Sequence, residues 1–148
     1  MKALLLTTMM IIVISSVACT QAKTINHKLQ VIDNDIIITC NINKTQTKTY
    51  NSDEVKQLNL TSNLQTFIYG VIDVKNMTAK PVIFNIEDYK LSFDSSISSK
   101  IYIDSIADII INKEVLTPNG HSTKNVYWVF PGSINTDDIN KIQVNINR

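Results

Sequence analysis

Glycine is scarce in this chain, with three residues in 148. A phosphate-cradling loop, or a Gly-x-Ser-x-Gly nucleophile elbow, needs bare backbone at several nearby positions, and neither pattern occurs. Histidine is scarcer still. His27 and His121 are far apart in sequence, too few to build a zinc site or to pair as acid and base. Both read as exposed loop residues, His27 in an N-terminal linker and His121 after a turn. Arg148 is the single arginine, so the bidentate fork that reads phosphates and guanine edges is missing. The net charge is only +1, and the lysines stand apart from one another along the chain. Nothing in their spacing points to a nucleic-acid partner.

Cysteine is limited to Cys19 and Cys40, which excludes a disulfide-stapled scaffold. Cys40 lies in the apolar run Ile36-Ile37-Ile38-Thr39-Cys40 and reads as a buried side chain. A Cys19–Cys40 bridge is the alternative if the chain is cut before Cys19 and the thiol stays unmodified. No catalytic constellation, cofactor motif or metal-ligand spacing is present. Asp33-Asn34-Asp35 and Asp137-Asp138 offer oxygen ligands for a loose calcium site, but such clusters more often simply form turns. Sequons occur at Asn43, Asn59 and Asn76, a number that so much Asn, Ser and Thr produces by chance.

At the start of the chain, Met1-Lys2 is followed by an apolar run, Ala3 to Val13, interrupted only by Thr7 and Thr8. A run of about eleven residues suits the core of a secretion signal and falls short of the ~20 that span a bilayer. Residues 1–18 therefore read as a cleaved signal peptide, with the cut as late as residue 22, and 19–27 as a short linker. Ser15-Ser16-Val17-Ala18-Cys19 resembles a lipobox, with Ser16 where leucine is usual. Cys19 is thus a candidate for lipidation, which would tether the domain to a membrane by acyl chains and not by a span. Ordinary cleavage after Ala18 or Ala22 fits the same residues.

The remainder, 28–148, is patterned as one β domain. Lys28–Ile32 and Ile36–Ile42 flank Asp33-Asn34-Asp35 as a hairpin would. Asn43–Thr49 reads as an exposed edge or loop. Ser52 caps a short helical turn with Asp53 and Glu54. Strands are expected at Thr66–Lys75, Val82–Ile86 and Tyr89–Phe93. Lys100–Ile103 and Ile106–Ile111 read as short strands, followed by Asn125–Phe130 and Ile139–Ile146. Turn signals at Asn76–Lys80 and Thr117-Pro118-Asn119-Gly120 separate them. Seven or eight short strands with almost no helical periodicity indicate an all-β antiparallel sandwich.

Val71-Ile72-Asp73-Val74-Lys75-Asn76, Pro81-Val82, Asp88-Tyr89-Lys90-Leu91, Leu116-Thr117-Pro118-Asn119-Gly120 and Val126-Tyr127-Trp128-Val129-Phe130-Pro131 together resemble a known pattern. It is that of the telokin-like, immunoglobulin-fold domain of small exported bacterial proteins, many of them lipoproteins. Asn119 is an insertion relative to the usual Pro-Gly turn. The resemblance spans roughly Thr66 to Val144 and implies an immunoglobulin-like sandwich at the cell envelope, with no catalytic residues.

Val126, Trp128 and Phe130 alternate with Tyr127 and Val129, so both faces of that strand are apolar. One face must be core. Tyr127 belongs to the other, where it forms a candidate binding patch with Phe67 and Tyr69 if those strands are neighbours. The function expected is binding of a protein or envelope component without enzymatic activity or cofactor, with strand-edge pairing in envelope assembly as the alternative. An open edge at Ile36–Ile42 or Ile139–Ile146 would favour that alternative.

Overall fold

A computed structural model of the chain describes residues 22–93, 97–98, 100–103 and 113–146. The apolar N-terminal run expected as a signal peptide, with Cys19, and the Ile106–Ile111 segment lie outside the described residues. The protein is all-β and its sheets are antiparallel. Strand β1 (Ala22–Asp33) and β2 (Ile36–Thr49) form a hairpin whose two-residue turn places Asn34 at φ +50°. Asparagine tolerates that left-handed backbone, which tight hairpin turns require. Strand β1 starts six residues before Lys28, so the stretch expected as linker from Ala22 to His27 is sheet.

The polar segment expected as an edge or loop, Asn43–Thr49, is the second half of β2: Lys44–Gln46 pairs with both β1 and β3, and Thr47–Thr49 pairs with β3. Thr45, Thr47 and Thr49 explain the difference, because β-branched side chains suit a pleated, half-buried surface. Helix α1 (Ser52–Gln57) follows, capped by Asn51 and not by Ser52. Asn51 Oδ1 accepts from the N–H groups of Asp53 and Glu54, while Glu54 Oε2 accepts from Asn51 N–H at 2.8 Å. This reciprocal pair is a capping box, and it fixes the cap one residue upstream of the serine.

Next come β3 (Leu64–Asn76), β4 (Val82–Asn85) and a 3-10 turn at Ile86–Asp88. Strands β5 (Tyr89–Phe93), β6 (Ile97–Ser98), β7 (Lys100–Ile103) and β8 (Lys113–Leu116) are short. Strand β9 (His121–Pro131) is long, and a 3-10 helix at Thr136–Lys141 leads into β10 (Ile142–Ile146). The expected strand from Ile139 is therefore helical for its first turn. Asn135 Oδ1 accepts from Asp137 N–H and starts that turn.

Five strands form the large sheet, in the order β1-β2-β3-β9-β7. Strands β10-β5-β6 form a second sheet, and β4-β8 a small third one. The core lies on the inner face of the large sheet. Ile36, Ile38, Cys40 and Ile42 from β2, Ile68, Ile72 and Val74 from β3, and Val126, Trp128 and Phe130 from β9 belong to one buried cluster. Phe84, Ile86, Tyr89, Leu91, Leu116, Ile134, Ile139 and Ile142 complete it. Each such side chain stabilises the fold by roughly 1.5–3 kcal/mol when taken from water, so this contact between layers holds the molecule together.

In β3, Gly70 faces Ile42 and Val126 across the ladder. A Cβ at Gly70 would lie 2.6 Å from the backbone oxygen of Asn41. Glycine is needed there because the β2 bulge between Ile42 and Lys44 brings two backbones together. The extra residue, Asn43, lets Lys44 pair with Tyr69 on the outer face.

Candidate binding face

Opposite residues in a ladder share a face, so the register of the large sheet assigns every side chain to inside or outside. Gln46, Phe67 and Val129 form one outer row, and Lys44, Tyr69 and Tyr127 the next. The three aromatic residues singled out from the sequence therefore meet. Their ring centroids are 6.4 Å apart for Phe67–Tyr69, 6.2 Å for Phe67–Tyr127 and 5.8 Å for Tyr69–Tyr127. Interplanar angles of 22–38° make this a tilted cluster, within the range where aromatic pairs attract.

All three rings are half-buried. Among the outer-face residues of β1, β2, β3 and β9, only Gln65 is buried; the rest keep surface exposed to solvent. Two lysines join the cluster. Lys44 Nζ lies 4.9 Å from the Tyr69 ring centroid, and Lys48 Nζ 4.9 Å from that of Phe67. Both distances are within cation–π range. Sequence inspection missed these partners, since Lys44 and Lys48 fell in a stretch read as loop. The signal that could have found them is the Thr45/Thr47/Thr49 alternation, which makes the stretch a strand and puts both lysines on its opposite face.

The remaining candidates disperse. His27 is on the inner side of β1, opposite Ile42, and its Nε2 is buried without a hydrogen-bond partner. It is not an exposed linker residue. His121 is exposed at the start of β9, opposite Lys75. Asp33 Oδ2 accepts the Tyr89 hydroxyl at 2.6 Å, Asp137 pairs with Lys23 at 3.6 Å, and Asp138 pairs with Lys141 at 3.1 Å. Those carboxylates have protein partners, and among the described residues no group of three His, Cys, Asp or Glu could hold a metal. A cleft of about 220 Å³ lies beside the β1–β2 turn, lined by Asp33, Asp35, Val82, Asp88 and Tyr89 among others.

Cys40 is a free thiol, 1% exposed on the inner face of β2. Burial pushes its pKa from 9.0 up to about 12, which leaves it neutral and unreactive in the folded protein. Tyr50, before α1, is raised too, by desolvation first and then by the nearby Glu54 carboxylate.

Asn76, the asparagine of the third sequon, is 0% exposed, so no glycan can sit there in the folded protein. Its Nδ2 donates to the carbonyls of Lys80 at 2.7 Å, Thr117 at 2.9 Å and Leu116 at 3.3 Å. Its Oδ1 accepts from the Thr78 N–H and hydroxyl, both at 2.9 Å. One side chain thus joins the β3–β4 and β8–β9 turns. Among the described residues no helix is long and apolar enough to cross a membrane. No protein-family model, curated protein or solved structure matches the chain.

Proposed function

We propose that the chain is an exported, non-enzymatic, immunoglobulin-like β-sandwich that binds a cell-envelope component through the outer face of its large sheet. The observation that carries this reading is the meeting of Phe67, Tyr69 and Tyr127 on a face where side chains keep solvent-accessible surface. Nonpolar rings gathered on the outside of a domain stabilise nothing in its core, and they fit a contact surface.

The sheet order supports the immunoglobulin-like part of the reading. Taking β2, β3, β5, β6, β7, β9 and β10 as strands A, B, C, C′, D, E and F gives A-B-E-D in one sheet and F-C-C′ in the other. Those are the neighbour relations of the immunoglobulin sandwich. In this scheme β1 is an extra strand added beside A. The resemblance to telokin-like domains of exported lipoproteins points the same way, and the apolar leader supports export.

Capture of envelope components by the wild-type chain and by Tyr69→Ala and Tyr127→Ala variants tests the reading. The wild type should retain a component that both variants lose. If all three retain the same set, the patch is not the binding surface. N-terminal mass analysis of the processed chain would decide between a lipidated Cys19 and a free terminus at residue 19 or 23.

A second reading, envelope assembly by strand pairing, has one observation in its favour. Strand β10 ends its sheet, with β5 as its only partner strand among the described residues. The other candidate edge, Ile36–Ile42, is closed, since β1 and β3 flank it. Concentration-dependent self-association that is lost on placing proline at Val144 would support this reading over simple binding.

A further inference from the structure

We propose that the outer face of the large sheet is a docking surface for an acidic polysaccharide. The inference rests on the envelope-binding reading and names the chemistry of its ligand. It starts from charge. Register places Lys28 beside Asn41, Lys44 beside Tyr69, Lys48 beside Gln65 and Lys75 beside Ile37, all on the outer face. Asp73 is the one acidic residue of that face in β1, β2, β3 and β9, and its Oδ1 accepts the Thr123 hydroxyl at 3.0 Å.

A chain of net charge +1 therefore gathers four lysines against one aspartate on a single face. A surface of one sign attracts a ligand of the other and speeds its capture. Lys44 and Lys48, four residues apart on one strand, hold their Cα atoms about 13 Å apart. That is a spacing for charges repeated along a polymer, not for one small anion.

The chemistry between the charges selects among polyanions. The negative side of the aromatic quadrupole on Phe67, Tyr69 and Tyr127 attracts the C–H face of a sugar ring, and Lys44 and Lys48, which lie over Tyr69 and Phe67 in the unbound protein, turn aside to meet its carboxylates. Asn41 and Asn125 are exposed on the same face and supply amides for hydroxyl groups. Lysine is the sole cation there, a compact point charge suited to single carboxylates and lacking arginine's fork for phosphates. The three rings are half-buried in the sheet face and so offer little apolar surface to a bilayer, which disfavours a lipid surface.

Binding of the full processed chain to polygalacturonate, neutral dextran, a thymidine oligonucleotide and phosphatidylglycerol vesicles tests the proposal. Polygalacturonate should bind, weakening as salt is raised from about 50 to 200 mM, and dextran should not. Lys44→Glu combined with Lys48→Glu should weaken binding by about tenfold or more, and Tyr69→Ala should weaken it as well. Lys141→Glu, away from the face, should change nothing, and near-ultraviolet circular dichroism of Trp128 should be unaltered in every variant.

Tighter binding of the oligonucleotide or the vesicles than of polygalacturonate at equal salt would overturn the proposal, as would equal binding of dextran. If no probe binds but an envelope component is still lost on Tyr69→Ala, the ligand class is wrong and the binding patch stands. If neither is seen, both fall.

Discussion

The Tyr89 hydroxyl donates a 2.6 Å hydrogen bond to Asp33 Oδ2, between residues that are 3% and 7% exposed. Asp33 closes strand β1 of the large sheet and Tyr89 opens β5 of the second sheet. The bond therefore ties the two layers together at the β1–β2 turn. Tyr89 is also held from its other side, its ring stacked on Phe84 at 5.3 Å. Replacing Tyr89 with phenylalanine keeps the stacking and removes the donor from a buried carboxylate. The expected cost is about 1.5–3 kcal/mol, read as a lower urea midpoint with an unchanged slope.

Asn76 holds two turns through bonds to three carbonyls. In an Asn76→Ala variant the buried Leu116 carbonyl and the part-buried Lys80 and Thr117 carbonyls lose this amide donor, the last two keeping the Thr78 hydroxyl and the Gly120 N–H. A loss of about 2–4 kcal/mol is expected, with faster amide exchange at the β3–β4 and β8–β9 turns. Unchanged stability would mean that water replaces the side chain there.

Gly70→Ala tests the close approach of β2 and β3. The added methyl meets a backbone oxygen at 2.6 Å, which no rotamer can relieve. The two strands must separate locally, at a cost of about 1–3 kcal/mol. Because the ring rows lie beside this position, the Tyr69–Tyr127 contact should loosen as well, visible as altered ring chemical shifts.

Cys40 makes stability depend on alkaline pH. The folded state keeps its thiol protonated up to about 12, whereas the unfolded chain releases the proton near 9.0. The contribution is therefore complete below pH 9 and is lost as pH rises toward 12, at up to about 1.4 kcal/mol per pH unit. Wild type should lose stability more steeply over this range than Cys40→Ala. Maleimide labelling of Cys40 at neutral pH should require unfolding.

Much of the fold was legible because alternation is a local signal. Ile68, Ile72 and Val74 share one face in any strand that contains them, and the Asp33-Asn34-Asp35 turn follows from side-chain preferences alone. Strand ends were less legible. Ser52 looked like the helix cap because serine commonly caps, but the Asn51–Glu54 box wins by satisfying two backbone groups reciprocally. The 3-10 helix at Thr136–Lys141 was hidden by the apolar residues Ile139 and Ile142, which suit a strand as well as a tight helix packed on the core.

Sequence alone determined the all-β class, the apolar N-terminal run, and the absence of a glycine-rich or histidine-rich chemical motif, since each depends on residues near one another in the chain. Tertiary structure decided what the outer face is. Lys28, Lys44, Lys48 and Lys75 look dispersed in sequence, and Tyr127 lies far from Tyr69. Only the pairing of β1, β2, β3 and β9 brings them onto one surface. The reason is geometric: a strand records which side a residue faces, but its neighbours across the ladder exist only once the register is set.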